Sequence, residues 1–489
     1  MRSALPAALA AALGTLAAPA LAGVRPAPGG ELSLALPAAP QETDPARALE
    51  PPDLLAARAL HATLLEVDAS GALVPGLLAE VPAPEAGGRA FRLRLRPGLR
   101  FADGTPLGAS AVAASLSRLA TPGAPHGWLA LPIAGADLAL EGHAPAPRGI
   151  RVLSEREILV TLDLPLPEFP WSLAALPAAV VSAGGAGAGP FRPAGPLAPQ
   201  DGRIPLLAND LHHRGRPFAD RAVLLSRPGR GLAGEIERGE VHLALRPEAL
   251  APGSLPLRPS VATYAVLNGR RLGGSADRVR AALAALDRAE LARRFVRGPS
   301  EPLSSLLPSW IAAPGPAAAP GPSAAAAPAA TGVPGPTARP VAILVPSGAP
   351  DARAAADRIQ VKLFDAGVRA SVEEADPARF AARLSAGEHD VALLPVPLLA
   401  PRPALAVAQI AWAAGARAEA RRALREMAGL SGDEACRAAD RIAARLGLVP
   451  LFASGLRASA GPALRGVRPL PDGTLDPGDL WLSQRGGAP

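Results

Sequence analysis

Few side chains in this sequence are equipped for covalent or metal chemistry, and their spacing excludes most of it. Lys362 is the one lysine, set between Val361 and Leu363. The Gly-Lys-Ser/Thr of a phosphate-binding P-loop is therefore missing, and a Schiff-base enzyme would have to use this single amine. Cys436 is the one cysteine, which rules out an intrachain disulfide, a cysteine zinc site and a CxxC redox pair. Of seven histidines, only His212 and His213 are adjacent. Neighbours on an extended segment point to opposite faces, so the pair does not read as a metal site. His61, His126, His143, His242 and His389 offer no ligand spacing. The run GGAGAG at 184–189 is followed at once by Pro190 and reads as a turn. The sequence contains neither a G-x-S-x-G elbow nor an H-E-x-x-H helix. No cofactor, no metal and no enzymatic activity are expected.

Composition narrows the class further. The 489 residues carry 50 cations against 43 acids, a formal net charge of +7. The arginines are spread along the chain among the acids, without a basic run interleaved with aromatics, so no nucleic-acid partner is expected. Met1-Arg2-Ser3, an uncharged Ala/Leu stretch and Ala20-Leu21-Ala22 read as an export signal at 1–22, cleaved before Gly23. The mature chain is then expected to be soluble in the periplasm, without stable membrane insertion. From 312 to 339, 23 of 28 residues are Ala, Gly or Pro. Such a stretch has little to bury, and it reads as a disordered insertion.

The elements that could position a site follow from periodicity. Residues 31–36 alternate as a short strand, and 53–65 show helical spacing of Leu and Ala. Residues 91–96 alternate strictly, with 99–101 expected to run back against them as a hairpin. Helices are expected at 109–119, 279–295 and 351–364, and strands at 158–162, 341–345 and 368–372. The strand–helix–strand order over 341–372 implies a parallel pair.

Several short motifs fall among these elements in one order. They are Gly71, Pro75, Leu78-Ala79-Glu80, Phe91, Leu93, Arg94, Gly98, Phe101, Asp103-Gly104-Thr105-Pro106 and Val112. Then come Ala188-Gly189-Pro190-Phe191, the run NDLHHRGRPFAD at 209–220, Ile236-Glu237-Arg238-Gly239-Glu240 and Leu267-Asn268. The last are DRVRAAL at 277–283 with Leu286-Asp287-Arg288, and Ile359-Gln360 leading to Gly367-Val368. In this order, over about 30–310 and 341–482, the sequence resembles the family-5 solute receptors of ABC transporters, the dipeptide, oligopeptide and nickel binders. The resemblance implies an α/β, two-lobed periplasmic-binding-protein fold of type II, cluster C-like, with an extra subdomain. The first lobe would hold 31–260 plus 448–489, with the subdomain at about 47–185, and the second lobe 261–447. It further implies a monomer that closes on a peptide-like or other small solute and delivers it to ABC permease subunits.

By the same resemblance, ligand contacts are expected from Gln41 and Thr43, from Tyr264 and Asn268, and from the loop Leu394 to Arg402. That loop departs from the family, because the aspartate that would hold a peptide ammonium is missing. His242 also stands where the family has an aspartate. Arg402, the one charge in the loop, offers a fork for a carboxylate. The expected solute is therefore apolar with at most one acidic group, and a cationic dipeptide amine would find no carboxylate in that loop. These departures leave a second reading open: a degenerate receptor-fold scaffold or interaction protein without a transport ligand.

Overall fold

Leu32, Leu34 and Leu36 place the strand Glu31–Leu36 at the centre of a seven-stranded sheet, where all three are buried. In order, the strands are Leu255–Pro256, Arg457–Ala460, Leu243–Arg246, Glu31–Leu36, Arg221–Ser226, Arg203–Ala208 and Phe191–Pro193. Glu31–Leu36 runs parallel to both neighbours, with Leu34 opposite Leu224 and Leu243. The computed structural model describes residues 26, 28–195, 197, 202–227, 229–312 and 339–483. The export segment 1–22 and all but the ends of the 312–339 insertion lie outside the described residues.

A second, six-stranded sheet has the order Ser300–Pro302, Leu448–Ser454, Val261–Leu267, Val391–Pro397, Val341–Pro346, Ala370–Ala375. Val341–Pro346 and Ala370–Ala375 are parallel, joined by the helix Pro350–Asp365, as the pattern predicts. The long helix expected at 279–295 is instead two, Ala276–Ala284 and Arg288–Phe295. Asp287 ends the first run because its carboxylate accepts the Glu290 amide and caps the second.

The chain crosses from the first sheet to the second between Pro256 and Val261 and returns at Gly455. The sequence reading placed that return at 448. Leu448–Ser454 instead pairs with Val261–Leu267 and Ser300–Pro302 in the second sheet, and only Arg457–Ala460 joins the first. Burial explains the shift, since Leu451, Phe452 and Ala453 are fully enclosed in the second lobe. The two crossings touch: a Cβ on Gly455 would lie 2.9 Å from the Arg258 carbonyl oxygen. The second-lobe loop before Ser300–Pro302 closes on them, since a Cβ on Gly298 would lie 2.1 Å from the Gly455 carbonyl oxygen. Only glycine admits such backbone contact.

A third unit is a four-stranded antiparallel sheet, Pro84–Glu85, Ala90–Arg94, Glu157–Thr161, Ile150–Ser154, with the helix Ala109–Arg118 beside it. Ala90–Arg94 pairs with Glu157–Thr161, Phe91 opposite Val160, and not with 99–101 as expected. A strand far along the chain won the pairing because Ile158 and Val160 bring two fully buried side chains to it. This unit shares one apolar core with the second lobe: Leu119, Trp128 and Leu129 cluster with Leu405, Ala408 and Trp412.

Candidate functional site

The helix Pro51–Leu60 sets one wall of the site. Asp53, in its first turn, accepts the amides of Gln41 and Glu42 and so ties the preceding loop down. The helix stops at His61, earlier than its apolar pattern suggests. The segment 187–189 lies so close that a Cβ on Gly187 would sit 1.9 Å from the Leu60 carbonyl oxygen. Gly187 and Gly189 of the GGAGAG run thus serve close backbone contact. Arg58 projects from the last turn into a cavity of about 70 Å³.

The rest of that cavity comes from five places: Glu66 after the helix, Trp171 and Leu176 of the subdomain, His212 and Arg214, the C-terminal return with Arg468, Asp472 and Asp476, and Leu399 and Pro401 of the second lobe. The return is pinned by a turn in which the Asp472 carboxylate accepts from the Thr474 amide (3.0 Å) and hydroxyl (2.6 Å). The same Asp-Gly-Thr device occurs at Asp103 and Thr105.

The cleft is lined by charges in pairs. Arg58 bridges to Asp472, Glu66 accepts from His213 at 3.2 Å, and Arg214 donates to Asp476 and Asp479 at 2.8 Å each. Arg468 also reaches Asp479, at 2.8 Å. Burial works against the Glu66 carboxylate, but the hydrogen bond from His213 and the charge of Arg214 outweigh it and keep its pKa below the usual range. Burial pushes His61 and His212 down to about 4, so both are neutral near pH 7. The second-lobe wall, Leu399 and Pro401, brings no charge.

The six residues predicted for the site are dispersed. Tyr264 is fully buried in the second sheet and donates its hydroxyl to the Leu306 carbonyl at 2.9 Å. Leu394, its strand partner, is 5% exposed. Both are enclosed by the second-lobe core, away from the cavity described above. Asn268 caps the short helix Gly269–Leu272 and donates to Gly387, on a separate groove beside His389 and Ala416. Gln41 is exposed and donates to the Ala39 carbonyl. Thr43 offers its carbonyl to His61 at 3.1 Å. Arg402 lies with its guanidinium carbon 3.5 Å from the ring centre of Trp171 in the subdomain, and burial lowers its pKa. Of the predicted loop, Leu399 and Pro401 reach the cavity.

Sequence reasoning missed Arg58, Glu66, Arg214, Asp472 and Asp476. The loop at 394–402 holds no carboxylate, but three line the cavity from elsewhere: Glu66, Asp472 and Asp476. A usable signal existed, since the second Asp-Gly-Thr, at 472–474, marks a turn in a segment that must return to the first lobe.

Two sheets joined by touching crossings, with a charged cavity between them, define a two-lobed solute receptor. The family model described as bacterial extracellular solute-binding proteins, family 5 Middle, matches residues 72–403, and the chain belongs to this family. Its sequence is 31% identical over 136 residues to the periplasmic murein peptide-binding protein MppA of Escherichia coli K12, a match spanning 27% of this chain and 25% of that protein. The Escherichia coli murein tripeptide binding protein MppA superposes with a TM-score of 0.75 at 17% identity, covering 93% of this chain and 99% of that one. Haemophilus influenzae OppA in complex with RPPGFSPFR gives 0.74 at 16% identity, with 93% and 99% covered. An unliganded open form of MppA gives 0.61 at 17% identity, with 92% and 97% covered.

Proposed function

We propose that this chain is the periplasmic receptor of an ABC importer, closing its lobes on a small solute and presenting it to permease subunits. The observation that carries the reading is the interlobe cavity, with three arginines and three carboxylates converging on a space of about 70 Å³. Ion pairs held partly out of water add little stability over apolar packing, and the touching crossings at Arg258 and Gly455 are placed to let the lobes part by hinge motion. Export through residues 1–22, with cleavage before Gly23, fits this role. Among the described residues no helix is long and apolar enough to cross a membrane. The protein acts as a monomer. Arg402 contributes by packing on Trp171, which lines the cavity.

The test is a native mass spectrum of protein purified from its own host, joined to melting scans against amino acids, peptides and metal complexes. A bound small molecule, or a melting rise of several degrees with one class, is the expected result. A second reading, a receptor fold kept as a scaffold, draws on the apolar joint between subdomain and second lobe and on the missing loop aspartate. An empty spectrum with no melting shift would favour it.

A further inference from the structure

Resting on the receptor reading, we propose that the cavity selects a small zwitterion of single-amino-acid size, with Asp472 and Asp476 taking its ammonium and Arg58 and Arg214 its carboxylate. The mixed charge of the lining is the first ground. Arg58, Arg214 and Arg468 face Glu66, Asp472 and Asp476, with Asp479 behind them accepting from Arg214 and Arg468, while the second-lobe wall brings only Leu399 and Pro401. A solute with a single charge would meet one sign of this lining and be opposed by the other in a half-dry space. A zwitterion meets both and leaves the balance of the lining as it is, and each of its ends replaces one partner of an existing pair with a charge-assisted hydrogen bond of the same kind.

Placement is the second ground. The Arg58 and Asp472 side chains are each 17% exposed, and that of Asp476 18%, so these pairs sit within the cleft wall. Arg58 spends one terminal nitrogen on Asp472, while its Nε has no acceptor among the described residues. His61 and His212, neutral at pH 7, leave the balance unchanged. Size is the third ground. The space is less than half of the ~150 Å³ that holds benzene in an engineered apolar cavity, so it takes a few non-hydrogen atoms and no peptide backbone. The C-terminal return thus supplies the carboxylates that the second-lobe loop lacks, from the opposite wall.

Calorimetry on the mature chain with L-alanine, propionate, propylammonium and trialanine tests this. Alanine is expected to bind at least tenfold more tightly than the other three. Asp472→Asn leaves an unmatched arginine, and is expected to shift the alanine-to-propionate ratio at least tenfold toward propionate. Asp476→Asn provides the same test should the first variant melt early. Tight binding of trialanine would overturn the proposal and leave the receptor reading standing. So would equal binding of alanine and propionate, or an unchanged ratio in both variants. Silence from alanine also overturns it, and silence from every solute together with an empty native spectrum removes the receptor reading as well.

Discussion

The second lobe makes two joints, and they are built from opposite materials. Against the subdomain it presents the buried helix Pro403–Ala413, whose Trp412 fits over Gly127: a Cβ there would lie 2.4 Å from the indole ring. Arg421 closes the rim, bonding Asp137 at 2.8 Å and Asp163 at 2.9 Å. Against the first lobe it presents Leu399 and Pro401 across a cavity ringed by ion pairs. Parting the first joint exposes apolar surface, at a cost of roughly 25 cal/mol per Å², and parting the second mainly rehydrates charges. The contrast assigns opening to the charged cleft and keeps the subdomain with the second lobe.

Each joint contains a buried histidine that reports on it. His61, at the cleft, and His126, beside Gly127, are 7% and 2% exposed, and burial lowers both to about 4. With folded values below the ordinary 6.5, the unfolded chain takes up protons first as pH falls. Their stability contribution is whole above pH 6.5 and is lost on the way down to pH 4. The loss is about 3 kcal/mol per histidine at pH 4, about 6 together. His212, lowered to about 4 as well, adds to the loss, so urea unfolding at pH 7.5 and pH 4 should show a drop of at least this order. NMR titration sharpens the comparison: any open state should raise the His61 pKa toward 6.5 and leave His126 near 4. Equal rises at both would break it. Next in size, Trp412→Ala should cost about 3–5 kcal/mol in urea unfolding, the usual loss for a buried tryptophan. A loss under 1 kcal/mol would mean that the subdomain joint is not a packed core.

Local pattern foretold elements whose neighbours lie near in sequence. The strand Glu31–Leu36, the helix Ala109–Arg118 and the parallel pair around Pro350–Asp365 were all readable from alternation or helical spacing. What escaped was partner choice. Nothing in residues 91–101 says that Phe91 will face Val160 rather than a hairpin mate, and nothing in 448–454 marks it as a second-lobe strand. The site suffered most. Resemblance supplied a loop, and Leu399 and Pro401 of that loop do reach the cavity. Tyr264 and Leu394 follow the same strand pattern as any core pair, and the core took them. Asp472 and Asp476 lie over 400 residues from Arg58, so only the late return of the chain brings them to it.

The smallest expected effect lies at the rim of the subdomain joint. Arg402 of the second lobe lies on Trp171 of the subdomain at 3.5 Å, while its Nη1 donates to the Pro401 carbonyl at 2.9 Å. Burial disfavours its charge, with Glu168 compensating in part. Such a contact is worth about 0.5–2 kcal/mol. It links two units that stay together when the cleft opens. Arg402→Ala should therefore lower stability in urea unfolding by no more than that, and leave the radius of gyration in solute-free solution scattering unchanged. Arg402→Lys should recover only part of the lost stability, because an ammonium lacks the planar face that lies on the indole. Arg421, whose two bonds rim the same joint, should behave alike, so Arg421→Ala should also leave the radius unchanged. An expanded particle in either variant would mean that the subdomain is not fixed to the second lobe, and that both joints open.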